Sequence, residues 1–262
     1  PIRNINLEIR RLNLAAYAPL RYVLPHKQDA YDRKYSTEVK GGTGFFRQVD
    51  REESLIHLLR VNILKRMESS VVSFALTVER QLRDVEDTLR RIEAQVEELE
   101  EIDIEDVDIE DPAFESLLVG RKVKVLLSDV DIVRWKQDLN EDRNRLATLL
   151  ATAREVSAER DAKLAALREI IANKHRQPIN QGNRKVIVFT AFADTANYLF
   201  EQLAPWARET LGMESALVTG TGSNKTTLPR LRRDLGSILT AFSPRSKERP
   251  EELASEGDID LL

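Results

Sequence analysis

Between Val49 and Glu101 the chain holds neither proline nor glycine. In the second half of that stretch Val71, Ala75, Val78, Leu82, Val85, Leu89, Ile92, Val96 and Leu99 follow one another at alternating steps of four and three. Such a heptad seam turns one side of an α-helix steadily toward a partner. It predicts a helix over about 49–101, with Pro112 beyond it barring any continuation, since proline lacks the amide hydrogen. A second pattern over about 132–173 places Leu139, Arg143, Leu146, Leu150, Ala153 and Val156 on one stripe, then Leu164, Leu167 and Ile171. Two comparable rods with a connector predict a long antiparallel, coiled-coil-like hairpin. In the connector, Arg121–Leu127 alternates as a short strand does.

Upstream, Ile5, Ile9, Leu12, Leu14 and Tyr17 recur at mixed helical spacing, punctuated by Pro19 and Pro25, which predicts short helices. His26–Phe46 is polar and carries Gly41, Gly42 and Gly44, a loop signal. After Pro178–Asn183, which reads as a linker, the period changes. In Lys185–Thr190, Val186–Phe189 is a continuous apolar run ending in Thr190, of the kind a buried parallel strand shows. Ala193–Leu203 reads as a helix ended at Pro205, Ser215–Thr219 as a strand, Leu228–Phe242 as a helix and Ile259–Leu262 as the start of a third strand. Strands alternating with helices predict a parallel sheet. The expected fold class is therefore α plus α/β, with a helical domain over 1–180 and an incomplete α/β lobe over 181–262. A sheet that has just received its third strand, in a chain starting at Pro1, leads us to expect a piece of a larger protein.

The 262 residues suffice for one large domain or two modest ones. Charged residues reach 32% and aromatics only 6%, a balance that suits long exposed helices. The net charge of −4 conceals two patches. From Glu97 to Asp111 ten of fifteen residues are acidic and none is basic; from Lys225 to Arg249 seven are basic, opposed by Asp234 and Glu248 alone. With no cysteine, disulfides, thiolate metal sites and thiol nucleophiles are excluded. His26, His57 and His175 share no metal-ligand spacing. Nothing resembles a membrane span or a signal peptide, so a cytoplasmic location is expected.

The loop Thr219–Thr226 resembles a phosphate loop at first sight, but its spacing refutes that. A Walker A loop needs glycine where Asn224 and Thr219 stand, and the dinucleotide fingerprint needs glycine where Lys225 stands. A strand-to-helix turn is expected, whose amides meet an anion or serve only the turn. Thr190 ends a strand at the carboxyl edge, where open α/β folds bind ligands. Arg230 and Arg233, with Arg232, Arg245, Lys247 and Arg249, either neutralise a phosphate backbone or form a solvated basic face. The acidic run lacks the glycine and spacing of a calcium loop and is expected to be a charged hairpin tip.

Lys185–Ala196, followed by Tyr198, Leu199, Phe200 and Leu203, resembles motif IV and its helix in superfamily 2 helicases. More narrowly, it is similar to bacterial chromatin-remodeller and RapA-like DNA translocases. Ala216–Gly220 stands where that family has a strand ending in Asp-Gly, and Leu239–Pro244 matches a Phe-Ser/Asn-Pro helix end. Glu256–Leu262 resembles the approach to motif V. Leu58–Ser70 and Ala16–Tyr22 resemble the helical segment leading into the second RecA-like lobe. Taken together, these matches extend over most of the chain.

This resemblance implies a partial parallel-sheet RecA-like lobe in a parent protein that hydrolyses ATP with Mg and moves along duplex DNA. It places Thr190, Thr219 and Gly220 against the nucleic-acid backbone, where Arg230 and Arg233 are the added basic candidates. Thr219 stands in place of the usual aspartate. The first lobe, motif V and the arginine of motif VI are absent, so no catalytic or metal residue is assigned. ATP and Mg are expected on the parent and not on this piece, which should be inactive alone and monomeric. The hairpin is expected to track DNA or to bind a protein partner at its acidic tip. The rival expectations are a coiled-coil adaptor whose seam pairs between chains and a small-molecule Rossmann domain.

Overall fold

The computed structural model describes residues 2–35, 37–38, 45–46, 48–100, 123–220 and 224–262. They form two compact units, Pro1–Glu155 and Val156–Leu262. The expected acidic tip beyond Glu100 and the glycine loop at 41–44 lie outside the described residues.

The first unit contains α1 (Ile2–Arg10), α2 (Pro25–Tyr35), β1 (Thr37–Glu38), β2 (Phe45–Phe46), α3 (Gln48–Ser69), α4 (Val71–Glu93), β3 (Glu98–Glu100), β4 (Lys124–Leu126) and α5 (Ile132–Arg154). The hairpin is α4 against α5. Ion pairs Lys136–Glu93 at 3.8 Å and Arg154–Glu79 at 2.8 Å join opposite ends of the two helices, which makes them antiparallel. Val78, Val85, Leu89 and Ile92 from the seam are buried, as are Leu139, Leu146, Leu150 and Ala153 from the facing stripe.

Neither rod runs as far as its periodicity predicts, and local hydrogen bonds at the helix ends are the reason. At Ser70 the backbone is extended (φ −152°, ψ 152°), and its hydroxyl accepts the Ser73 amide, so α3 and α4 are separate helices. At the far end Gln95 adopts φ +53° and the Val96 amide donates to the Arg91 carbonyl, a Schellman stop made without glycine. Glu98–Glu100 is consequently a strand, paired antiparallel with Lys124–Leu126. The second rod ends at Arg154, and Asp161 starts α6 (Ala162–Arg176) by accepting the Lys163 and Leu164 amides. That helix falls in the second unit.

The segment after α1 lies buried across the hairpin. Asp142 of α5 is fully buried and accepts the amides of Asn13 (2.6 Å) and Ala15 (2.8 Å). Trp135 donates its indole N–H to the Ala15 carbonyl and stacks on Tyr22 with centroids 5.5 Å apart. Tyr17 donates to Asp84 and Tyr22 to Asp138, so burial of these hydroxyls leaves none unpaired. The hydroxyls of Tyr31 and Tyr35, one turn apart on α2, accept the amides of Leu126 and Lys124 along the side of β4 that β3 leaves free.

The second unit holds α6, α7 (Ala193–Leu211), β5 (Ala216–Leu217), β6 (Lys225–Thr226) and α8 (Leu235–Phe242). Here the expected parallel sheet is met only in part. Among the described residues the named strands of the chain pair only as three antiparallel couples, β5 with β6 in this unit. Parallel contact runs outside the named strands: Val186 and Ser215 both bridge to Leu261, the Val186 and Val188 amides donate to the Asp260 and Leu262 carbonyls, and the Ala216 amide donates to the Leu261 carbonyl, so 259–262 runs between the other two segments. The Lys185–Thr190 run is not buried on both faces as expected: Ile187 is 46% and Phe189 89% exposed. Its other side is covered, because Val188 and Thr190 line a crevice with Ala196, Leu199 and Leu203 of α7.

Two helix boundaries also differ. Helix α7 passes through Pro205 to a left-handed Gly212 (φ 65°). An internal proline costs about 3 kcal/mol, which burial of Leu203, Ala204 and Ala207 on either side offsets. The last helix begins only at Leu235, capped by Asp234, whose carboxylate accepts the Ser237 amide at 2.9 Å. A start at Leu228 would set Arg230, Arg232 and Arg233 in the first turns, where the helix dipole disfavours cations. Leu228 and Leu231 nevertheless reach the core formed by Ala216, Ile238, Ala241 and Ile259.

Candidate nucleic-acid interface

Because Val186 and Ser215 both bridge to Leu261 in parallel, Thr190 and Thr219, each four residues further on, lie at the same carboxyl-terminal end of these segments. Two strand spacings separate the segments, roughly 9–10 Å. Thr190 is half-buried, and its hydroxyl accepts the Phe192 amide at the entry to α7. Lys185, at the other end of the run, is structural: Nζ donates to the Ile259 carbonyl at 2.7 Å, with Asp258 and Asp260 each 3.9 Å away. Burial holds Asp260 above the usual carboxylate range, while Lys185 pulls the other way.

Thr219 and Gly220 occupy a β-hairpin turn between β5 and β6, which corrects the expected strand-to-helix turn. The physical cause is local. Ala216 faces Thr226 and Leu217 faces Lys225, so the chain reverses within seven residues and has no room for a helix entry. Asn224 holds the turn. Its Oδ1 accepts the Thr219 amide at 3.2 Å, and its Nδ2 donates to the Arg233 carbonyl at 3.0 Å.

Of the five candidates, Thr219 and the backbone of Arg233 are thus joined through Asn224, while Gly220 and Arg230 lie near them in the sequence. Both arginines are exposed, and among the described residues neither has an ion-pair partner. Arg232 is engaged by Asp234 at 3.2 Å, and Lys225 faces Glu201 at 3.6 Å. Asp234 is held below the ordinary carboxylate range by the Ser237 amide and hydroxyl and stays ionised. The exposed guanidinium groups can contact a polyanion, whereas the Thr219 amide is already donated to Asn224. Among the described residues no three His, Asp or Glu side chains are grouped to hold a metal ion, and no helix is long and apolar enough to cross a membrane.

Sequence reasoning missed Asn224, noting it only as a residue that is not glycine. A lone asparagine in a turn is its sole signal, because both its partners are main-chain groups. Compared with known proteins, the chain matches no family model, no curated protein and no solved structure.

Proposed function

We propose that this chain is a helical insertion joined to part of the second, RecA-like lobe of an ATP-dependent DNA translocase, and that it supplies nucleic-acid contact and not catalysis. What supports the reading is the order of segments in the second unit. Val186, α7, Ser215, α8 and Leu261 alternate extended and helical chain, and the third extended segment runs parallel between the first two. Such βαβ order brings the ends of successive segments to one edge, where Thr190 and Thr219 stand. ATP and Mg bind elsewhere in the parent protein under this proposal, and duplex DNA is the partner.

Two measurements test it. Fluorescence anisotropy should find duplex DNA bound by the chain with an affinity that falls steeply as KCl rises. ATP hydrolysis should be absent from the chain and DNA-stimulated in the parent. Turnover by the chain itself, or a parent whose hydrolysis ignores DNA, would overturn the proposal. The coiled-coil adaptor is the rival reading. Burial of Val78 and Leu89 within the chain counts against it, and a dimer held by that seam in sedimentation velocity would favour it.

A further inference from the structure

We propose that the crevice between helix α7 and the Ser215–Leu217 segment binds a small neutral molecule, apolar except for one oxygen that pairs with the Ser215 hydroxyl. The proposal does not depend on the nucleic-acid reading above. Side chains along an extended segment alternate between its faces. Ala216 joins the core with Ile238 and Ala241 of α8, so Ser215 and Leu217 face the other way, toward α7, and both line the crevice. Ser215 is 1% exposed, and among the described residues its Oγ has no hydrogen-bond partner. Its main-chain groups are engaged: the amide donates to Thr227 Oγ1 at 2.8 Å and the carbonyl accepts the Thr227 amide at 2.9 Å. The side chain alone is left unmet. A buried hydroxyl without a partner opposes folding, and native structures keep few of them.

The crevice has a volume of about 50 Å³. That is space for roughly three to five waters, more than a close-packed interior ordinarily leaves open. Two alanines make the room: Ala196 and Ala204 stand on either side of Phe200 at steps of four along α7, on one face of the helix. Water is a poor occupant, because it needs two to four polar partners. Here the walls are Val188, Leu199, Leu203 and Leu261, and the other polar side chain, Thr190, already accepts the Phe192 amide. No lysine or arginine lines the crevice to hold an anion, and its volume lies far below the roughly 300–1,000 Å³ of pockets for larger ligands. The chemistry left is a molecule of a few heavy atoms, with an apolar body for the walls and one oxygen for Ser215.

The test titrates the full chain with acetone, which carries an oxygen, and with xenon, which does not, while the methyl resonances of Leu199, Leu203 and Leu217 are followed by NMR. Acetone should shift those methyls saturably, with a Kd of about 0.1–10 mM, the range open to so few heavy atoms. The methyls of Leu139 and Leu146 in the first unit should stay in place. Ser215→Ala should weaken acetone binding by about three- to tenfold and leave xenon binding as in the wild type. It should also raise the temperature at which Trp206 emission is lost, since the unpaired hydroxyl is gone. Shifts that never saturate, or that appear equally in both units, would overturn the site. Equal acetone affinity in the wild type and in Ser215→Ala would overturn the pairing with Ser215. Ala196→Leu fills the crevice from α7 and leaves Ser215 as it is, so it should abolish the saturable shifts of both probes. Acetone binding that survives it would place the ligand elsewhere and end the proposal. Each of these outcomes is independent of the DNA titration, so a failure here leaves the nucleic-acid reading standing, and the reverse.

Discussion

The two units handle the same shortage of aromatic and apolar bulk in different ways. In the first, α4 and α5 face each other along their length, and a buried loop fills the groove between them through polar contacts that are individually satisfied: Asp142 to two amides, Trp135 to a carbonyl, Tyr17 and Tyr22 to carboxylates. In the second, helix α7 covers one side of the Val186–Thr190 run and leaves Ile187 and Phe189 in water. Among the described residues, the large exposed apolar side chains of the first unit (Leu7, Leu76, Leu126 and Val133) belong to different elements, whereas those two are neighbours on one extended run. A core made of paired helices is finished once the pair closes; an extended segment has two faces, and one helix finishes only one of them.

The chain carries an internal gauge for this comparison, with Trp135 in the first unit and Trp206 in the second. The largest effect should come from Leu139→Ala, where a fully buried seam residue is truncated. It should cost about 2–5 kcal/mol, read as an earlier urea transition of Trp135 emission while that of Trp206 stays in place. Transitions that move together would break the contrast between the units.

Next in size is a pH effect confined to the first unit. Burial raises the Asp142 carboxyl to about 6, against the pull of the Ala15 and Asn13 amides. A carboxyl that holds its proton more tightly when folded adds stability that is complete below its unfolded value near 4 and is lost as pH rises through 6. The first unit should therefore weaken by about 2–3 kcal/mol between those limits, and Asp142→Asn should flatten the dependence. A wild-type profile that rises with pH, or one that Asp142→Asn leaves intact, would refute this assignment.

The smallest effect is expected at Phe189, which is 89% exposed. Phe189→Ser should shift the Trp206 transition by no more than about 0.5 kcal/mol while lowering binding of an apolar dye. A loss of several times that amount would mean the ring is packed and the face is not bare.

Much of the first unit could be read from spacing alone. The seam over Val78 to Ile92 is buried apart from half-buried Leu82, and the short strand expected near Lys124 forms. What periodicity could not supply were the stops at Ser70, Gln95 and Asp161, each made by a local hydrogen bond and not by proline or glycine. Nor could it separate Arg143, expected on the stripe but exposed, from buried Asp142 beside it. That choice depends on amides more than a hundred residues away. In the second unit the extended runs stand close to their expected places, but the hairpin turn at Gly220 does not. Its geometry is set by Asn224 and by the pairing of Leu217 with Lys225, neither of which leaves a periodic trace.

The two hydroxyls that Tyr31 and Tyr35 set against β4 have a consequence for how this protein behaves in a crowded solution. A strand flank with free amides invites another molecule to dock its own backbone there and so to begin a fibre. On this flank the Lys124 and Leu126 amides already have phenolic oxygens in the positions an incoming carbonyl would take. A helix, by lending two side chains spaced one turn apart, shields the ladder against unwanted growth from that side.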